Sequence, residues 1–262
     1  MKFVGRRVVG GRAEGTVLAS DRPLSLLGGV DPTTGEVRDV HDPLFGQRIA
    51  DRILAVPHGK GSTVGSYVLY GLRNRRAAPR AILAANAEAI LAVGAVISDI
   101  PLVDRLPIDL LRTGDRAIVD ADASSLDMPT ISERPVVTSF LERDGRILVV
   151  RRSEKVGSFR GKWSGVSGFL EGDEDPEHRA RTEVEEETGI RDVALAARGP
   201  PIRSRGTDDT IYAIHPFRFH APRGEVRLDW ENVEFRWVRP EEIATLDSVP
   251  KLAAAYRATA PP

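Results

Sequence analysis

The sequence predicts an α+β protein of two domains, and three observations predict it. The chain has 262 residues, 41% of them hydrophobic, which suits two ordinary cores better than one. Its first half reads as short apolar strands and two helices set apart by glycine-rich turns, and its second half as a hairpin, an acidic helix and further strands. Between them Ala123-Ser124-Ser125-Leu126-Asp127-Met128-Pro129 is small, polar and ends in proline, which is the chemistry of a linker. The expected boundaries are a domain over 1–124, a linker over 125–132 and a domain over 133–262.

In the first half Val8-Val9 and Thr16-Val17-Leu18 are expected to pair as strands, followed by the turn-rich Gly28-Gly29-Val30-Asp31-Pro32. Ile53-Leu54-Ala55-Val56 is a buried strand ended by Pro57. His58-Gly59-Lys60-Gly61-Ser62-Thr63-Val64-Gly65-Ser66-Tyr67 then leads into a helix that ends near Asn74. A strand, a glycine loop and a helix start make an anion site, because glycine lets a ligand approach the backbone and the first helical N–H groups face it. Lys60 adds a positive charge. The spacing is not that of a P-loop. On local chemistry alone Ser62 and Thr63 are equally read as helix N-caps. Ile118-Val119-Asp120-Ala121-Asp122 is expected to be the last strand of this domain.

In the second half 135–141 and 146–152 flank Arg143-Asp144-Gly145, a hairpin with Asp-Gly at the turn. Asp175-Pro176 is an N-cap followed by a first helical position, and Gly189 a helix stop, so about 13 residues between them should be helical. On that helix Glu183, Glu186 and Glu187 stand one turn apart and repel one another unless a hard cation gathers them. Mg²⁺, or Mn²⁺ in its place, favours such oxygens and bridges phosphates. The alternative is a solvated acidic helix. Arg151, Arg152, Lys155, Arg160 and Lys162 either bind substrate phosphates or are solvated edges. Thr210–Phe219 is strand-like, with His215 a strand residue rather than a ligand. Trp230 and Trp237 are expected in the core.

Composition narrows the function. A net charge of −1 without a basic run leaves no electrostatic footprint for nucleic acid or an anionic membrane. Without cysteine the chain has neither a disulfide nor thiolates for an iron–sulfur cluster of its own. Any such cluster must come from another chain. No apolar run approaches the roughly 18 residues of a membrane span, and a cytoplasmic location is expected.

Two family resemblances add to this reading. Gly168, Glu174 and Thr182-Glu183-Val184-Glu185-Glu186-Glu187-Thr188-Gly189-Ile190 resemble the Nudix box, with Thr182 where the family has arginine. The resemblance implies an α/β/α sandwich that hydrolyses a diphosphate linkage, with Glu183 as general base and Glu183, Glu186, Glu187 and the Ser167 carbonyl as metal ligands. The family's arginine orients the glutamate, and Arg179, four residues before Glu183, is the substitute we expect. Arg152 is the expected contact to substrate phosphate, and Glu231 or Glu234 a further metal carboxylate.

Gly10-Gly11-Arg12-Ala13-Glu14-Gly15, Pro23-Leu24-Ser25-Leu26-Leu27-Gly28-Gly29-Val30-Asp31-Pro32 and Gly59-Lys60-Gly61-Ser62-Thr63-Val64-Gly65-Ser66-Tyr67 resemble the small subunit of aconitase X-type enzymes, archaeal phosphomevalonate dehydratase among them. The resemblance implies a swivelling β/α domain that pairs, as a heterodimer, with a large subunit carrying a [4Fe-4S] cluster. It further implies dehydration of mevalonate 5-phosphate to trans-anhydromevalonate 5-phosphate, a step of isoprenoid biosynthesis. Ser62 matches the serine taken as the base, with Lys60, Gly61 and Thr63 as substrate contacts. The competing reading makes this domain a docking module for the hydrolase.

Overall fold

The computed structural model describes residues 1–260, and the chain falls into two compact units that divide between Ile131 and Ser132. In the first unit the strands are β1 (Lys2–Val4), β2 (Arg6–Val9), β3 (Arg12–Ala19), β4 (Leu24–Ser25), β5 (Ile53–Val56), β6 (Gly59–Lys60), β7 (Ala81–Ala84), β8 (Leu102–Asp104), β9 (Arg116–Asp120) and β10 (Ser125–Asp127). Helix α1 (Gly65–Asn74) follows β6, and α2 (Ala89–Ser98) follows β7. Eight strands form one sheet in the order β1-β10-β9-β3-β5-β7-β8-β2, while β4 and β6 pair separately.

The centre of this sheet, β3-β5-β7-β8, is parallel, and its flanks are antiparallel. Every residue of β5 and β7 is fully buried, as continuous apolar runs in parallel strands must be. The outermost strands β1 and β2 are separated in sequence by Gly5 alone, so the sheet has to curl until its margins approach. Gly5 sits at that closure, its N–H donating to the Ser124 carbonyl at 2.8 Å, and a Cβ there would stand 2.3 Å from the Asp104 carbonyl oxygen. Helices α1 and α2 meet at Gly94, where a Cβ would lie 2.7 Å from Leu69 Cδ1.

Two expectations are corrected. Strands β2 and β3 do not pair with each other: β2 pairs with β8, and β3 with β5 and β9. Gly11, at φ 118°, turns the chain between them. Nor is 125–132 a linker. Ser125–Asp127 is β10, held between β1 and β9, and Leu126 and Met128 are fully buried. One partner, β9, lies just before it in the chain, but the other, β1, comes from the far end of the unit. Leu126→Ala is accordingly expected to destabilise the first unit by roughly 2–5 kcal/mol, read by chemical denaturation, whereas a change in a true linker would leave it untouched.

The second unit holds β11 (Ser132–Arg143), β12 (Arg146–Arg152), β13 (Trp163–Ser164), β14 (Val166–Phe169), α3 (Pro176–Thr188), β15 (Ala194–Arg198), β16 (Ile202–Arg205), β17 (Thr210–His220), β18 (Asn232–Val238) and α4 (Leu252–Ala258). The β11–β12 hairpin turns on Asp144 and Gly145, at φ 48° and 69°, the positive pair of a type I′ turn. Strand β11 is the axis of the sheet. It runs parallel to β17 from Ser132↔Thr210 to Glu142↔His220 and antiparallel to β14 over its middle, residues 136–139. Ala180 and Val184 of α3 pack on Val137, Leu148 and Phe219, and Leu252 and Ala255 of α4 join the cluster of Phe140, Val149 and Ile214. The result is an α/β/α sandwich within an α+β chain. Trp230 departs from expectation. It is 61% exposed, because it precedes β18 on the loop rather than pointing inward from the strand, whereas Trp237 is half-buried under the Arg143 guanidinium.

Candidate functional site

Helix α3 begins and ends where its sequence dictates: Asp175 accepts the His178 N–H at 3.0 Å, Pro176 occupies the first turn, and Gly189 closes the helix at φ 70°. Its inward stripe carries Glu183 and Glu187, which are 6% and 4% exposed, while Glu186 is exposed. The Glu183 carboxylate lies against the open side of Gly168 in β14, where a Cβ would stand 1.7 Å from Oε1 and 2.0 Å from Cδ. Only glycine leaves that space. Arg179, one turn earlier, pairs with Glu183 Oε1, and its own Nε is buried without a hydrogen-bond partner. Thr182 takes no part, since its hydroxyl donates to the His178 carbonyl at 3.1 Å.

Glu187 is held on both oxygens. Oε1 accepts the Ser167 N–H at 2.9 Å and Oε2 accepts from Asn232 Nδ2 at 2.6 Å. Burial nonetheless pushes its carboxyl up to about 8; the Ser167 and Asn232 hydrogen bonds oppose the rise, and the charges of Glu183 and Glu231 add to it. Burial also raises Glu183 above the ordinary carboxylate range, against the Arg179 charge and with the help of Glu186 and Glu231. Among the described residues no three His, Asp or Glu side chains converge closely enough to hold a metal ion. The donor chemistry still fits one: carboxylates crowded together, two of them buried, raise one another's proton affinity, and a hard divalent cation reverses that repulsion.

Glu183, Arg179, Ser167 and Gly168 help wall a cavity of about 260 Å³. Glu171, Glu183, Glu231, Arg152 and Arg179 line its polar part, and Phe159, Phe169 and Tyr212 its aromatic part. Of the five basic residues upstream of the box, Arg152 alone lines it, with Nε donating to the Ser158 carbonyl at 3.1 Å. Arg151 pairs with Glu234, and Lys162 with Asp247. Glu234 is drawn away from the cavity by Arg236 and Arg151, which hold its carboxyl below the usual range, so Glu231 is the carboxylate at the site. Sequence reasoning missed Asn232, whose partner is 45 residues away, and the aromatic wall, which comes from three separate elements.

In the first unit β4 and β6 pair as Leu24↔Gly59 and Ser25↔Lys60, which fixes the base of the glycine loop. Glu88 ties that base to α2: its Oε1 accepts from Gly59 N at 3.2 Å and Leu91 N at 3.1 Å. Gly61 stands at φ 104°, a conformation that a side chain would strain. Ser62 is exposed, and its Oγ accepts from Val64 N at 3.3 Å. The N-cap of α1 is Val64, with no side-chain cap, so neither Ser62 nor Thr63 serves as one. The Lys60 ammonium is 3.8 Å from Asp39 Oδ2. Around the loop Leu27, Val64, Tyr67 and Tyr70 are exposed apolar or aromatic side chains.

A glutamate laid on a glycine at the edge of a mixed sheet between helices, preceded by a closed β/α unit with a glycine loop, defines a two-domain protein of enzymatic class. Residues 2–128 match the aconitase X swivel domain and residues 133–259 the NUDIX domain. The chain belongs to the aconitase X swivel family through its first half and carries a Nudix domain in its second. Over 128 residues it is 53% identical to the phosphomevalonate dehydratase small subunit of Thermococcus kodakarensis, an alignment that covers 49% of this chain and 96% of that one. The crystal structure of Thermococcus kodakaraensis aconitase X in its holo-form superposes with a TM-score of 0.48 at 52% identity, over 49% of this chain and 98% of that one. A MutT protein from Methanosarcina mazei Go1 superposes with a TM-score of 0.42 at 24% identity, over 48% and 92%.

Proposed function

We propose that the chain is a bifunctional fusion: the small subunit of a hydro-lyase that dehydrates mevalonate 5-phosphate, joined to a Nudix hydrolase that cleaves a diphosphate linkage. The observation that carries the hydrolase half is the buried Glu183 carboxylate on Gly168, beside Arg179, at the wall of the cavity. Glu183 takes the proton of an attacking water; the water oxygen bonds to phosphorus, and the anhydride P–O bond breaks with its electrons leaving on the departing phosphate. Glu183, Glu186, Glu187 and the Ser167 carbonyl would hold a divalent ion, which supplies charge neutralisation of the diphosphate. Arg179 holds the base in place, and Arg152 binds a phosphate. Arg179→Ala is expected to lower kcat roughly 10–100-fold in a Mg²⁺-dependent assay of the full chain, with partial rescue by Arg179→Lys. Unchanged turnover would remove Arg179 from the mechanism.

In the dehydratase half Ser62 removes a carbon-bound proton while the hydroxyl leaves from the neighbouring carbon, so that water is lost and a double bond forms. A cluster held by a partner large subunit would supply the Lewis acid for the departing hydroxyl, since this chain has no cysteine with which to hold one. The 53% identity over 96% of a small subunit and the exposure of Ser62 support this reading. In a reconstituted complex with a large subunit, Ser62→Ala is expected to cost about 100-fold or more in dehydration and leave diphosphate hydrolysis intact. The exposed Val64, Tyr67 and Tyr70 beside the loop also suit the second reading, a docking module. Dehydration that survives Ser62→Ala at full rate would favour it.

A further inference from the structure

The floor of the hydrolase cavity is one face of a sheet, and strand register sets out what lies along it. Directly opposed residues share a face and alternate residues return to it. Thr138 and Ser167 therefore form one rung, Val136, Phe169 and Ile214 the next, and Arg134 and Tyr212 the one beyond. Gly168, against which the Glu183 carboxylate lies, is in register with Val137, between the first two rungs. From Val137 to Arg134 is three residues of strand, about 10 Å at ~3.4 Å per residue.

Arg134 folds back along this floor, its guanidinium carbon 3.5 Å from the centroid of the Phe169 ring that lines the cavity. Stacking of this kind holds the guanidinium plane and leaves its N–H fork directed sideways, ready for a bidentate acceptor. Arg134 is exposed, and among the described residues no carboxylate pairs with it. The adjacent Glu133 is engaged by Arg203, Nε to Oε1 at 2.6 Å. The two cations nearer the base are already committed in part, Arg179 to Glu183 and Arg152 to the Ser158 carbonyl. Arg134 is a positioned, permanently charged fork over Phe169, where an uncharged hydrocarbon tail would leave its donors unmatched.

Resting on the hydrolase reading, we propose that Arg134 is a specificity-determining residue that binds an anionic group of the substrate outside the reacting diphosphate, over the Phe169 ring. The test uses the full chain with Mg²⁺ and matched pairs of diphosphates: NADPH against NADH and coenzyme A against dephospho-coenzyme A for a phosphate, UDP-glucuronate against UDP-glucose for a carboxylate. The expected result is a roughly tenfold advantage of the anionic member in at least one class, expressed in KM, as a charge-assisted contact gives. Arg134→Met, which keeps length and apolar cover on Phe169, collapses that ratio, and Arg134→Lys restores part of it. Equal use of both members of every pair, or a preference that survives Arg134→Met, overturns the proposal. Calorimetric binding of the same pairs separates the two readings: an Arg134-dependent preference without any turnover sinks the hydrolase assignment alone, and neither preference nor turnover sinks both.

Discussion

Gly168→Ala is expected to lower diphosphate hydrolysis roughly 10²–10³-fold while the second unit still folds. The added Cβ would stand 1.7 Å from Glu183 Oε1, well inside any allowed contact. Strand β14 cannot yield, because Gly168 is in register with the fully buried Val137 of β11. The glutamate must therefore move, and with it the Arg179 pair that holds it. Overpacking of this order costs about 1–3 kcal/mol of stability, so thermal unfolding of the variant serves as the control. The effect should be non-additive with Glu183→Gln, since both remove one carboxylate from one place. Activity within twofold of wild type would show that the base lies elsewhere.

The second large effect is on pH dependence without metal. Glu187 titrates near 8 in the folded protein, against 4.5 for its ordinary value. Between those two pH values the unfolded chain has released a proton that the folded chain keeps, so stability falls as pH rises through the window and levels off above it. The loss is on the order of a few kcal/mol, and it should show as a decreasing midpoint of denaturation from pH 5 to roughly pH 8.5 in chelator. Glu187→Gln, which holds the neutral form at every pH, is expected to flatten this slope. Added Mg²⁺ is expected to recover stability at the alkaline end, where the carboxylate is charged. A flat profile in the wild-type protein would mean that Glu187 ionises in its pocket without cost.

How much of this was legible depended on whether the deciding interaction was local. The caps of α3, Asp175, Pro176 and Gly189, act within one turn and stand where their chemistry puts them. The Asp144-Gly145 turn is likewise read from two residues. Strand β10 was illegible because Ser125–Asp127 is enclosed between β9 and β1, and β1 lies at the other end of the unit's sequence. The site was partly legible. Helical spacing put Glu183, Glu186 and Glu187 on one face, but the packing of Ala180 and Val184 turns only Glu183 and Glu187 inward and leaves Glu186 outside. Arg179 was found by its i, i+4 relation to Glu183. Asn232 and Phe159 have no such spacing: Asn232 reaches Glu187 from β18, and Phe159 reaches the cavity from a loop.

The closure of the first sheet bears on how the chain is made. Lys2 lies opposite Asp127, so β1 finds its mate only after residue 127 has been made. Such long-range pairing is slow to nucleate, because a loop spanning the whole unit must be closed before the contact repays it. The nascent N-terminal segment must therefore wait, unpaired, until translation has carried residue 127 clear of the exit tunnel.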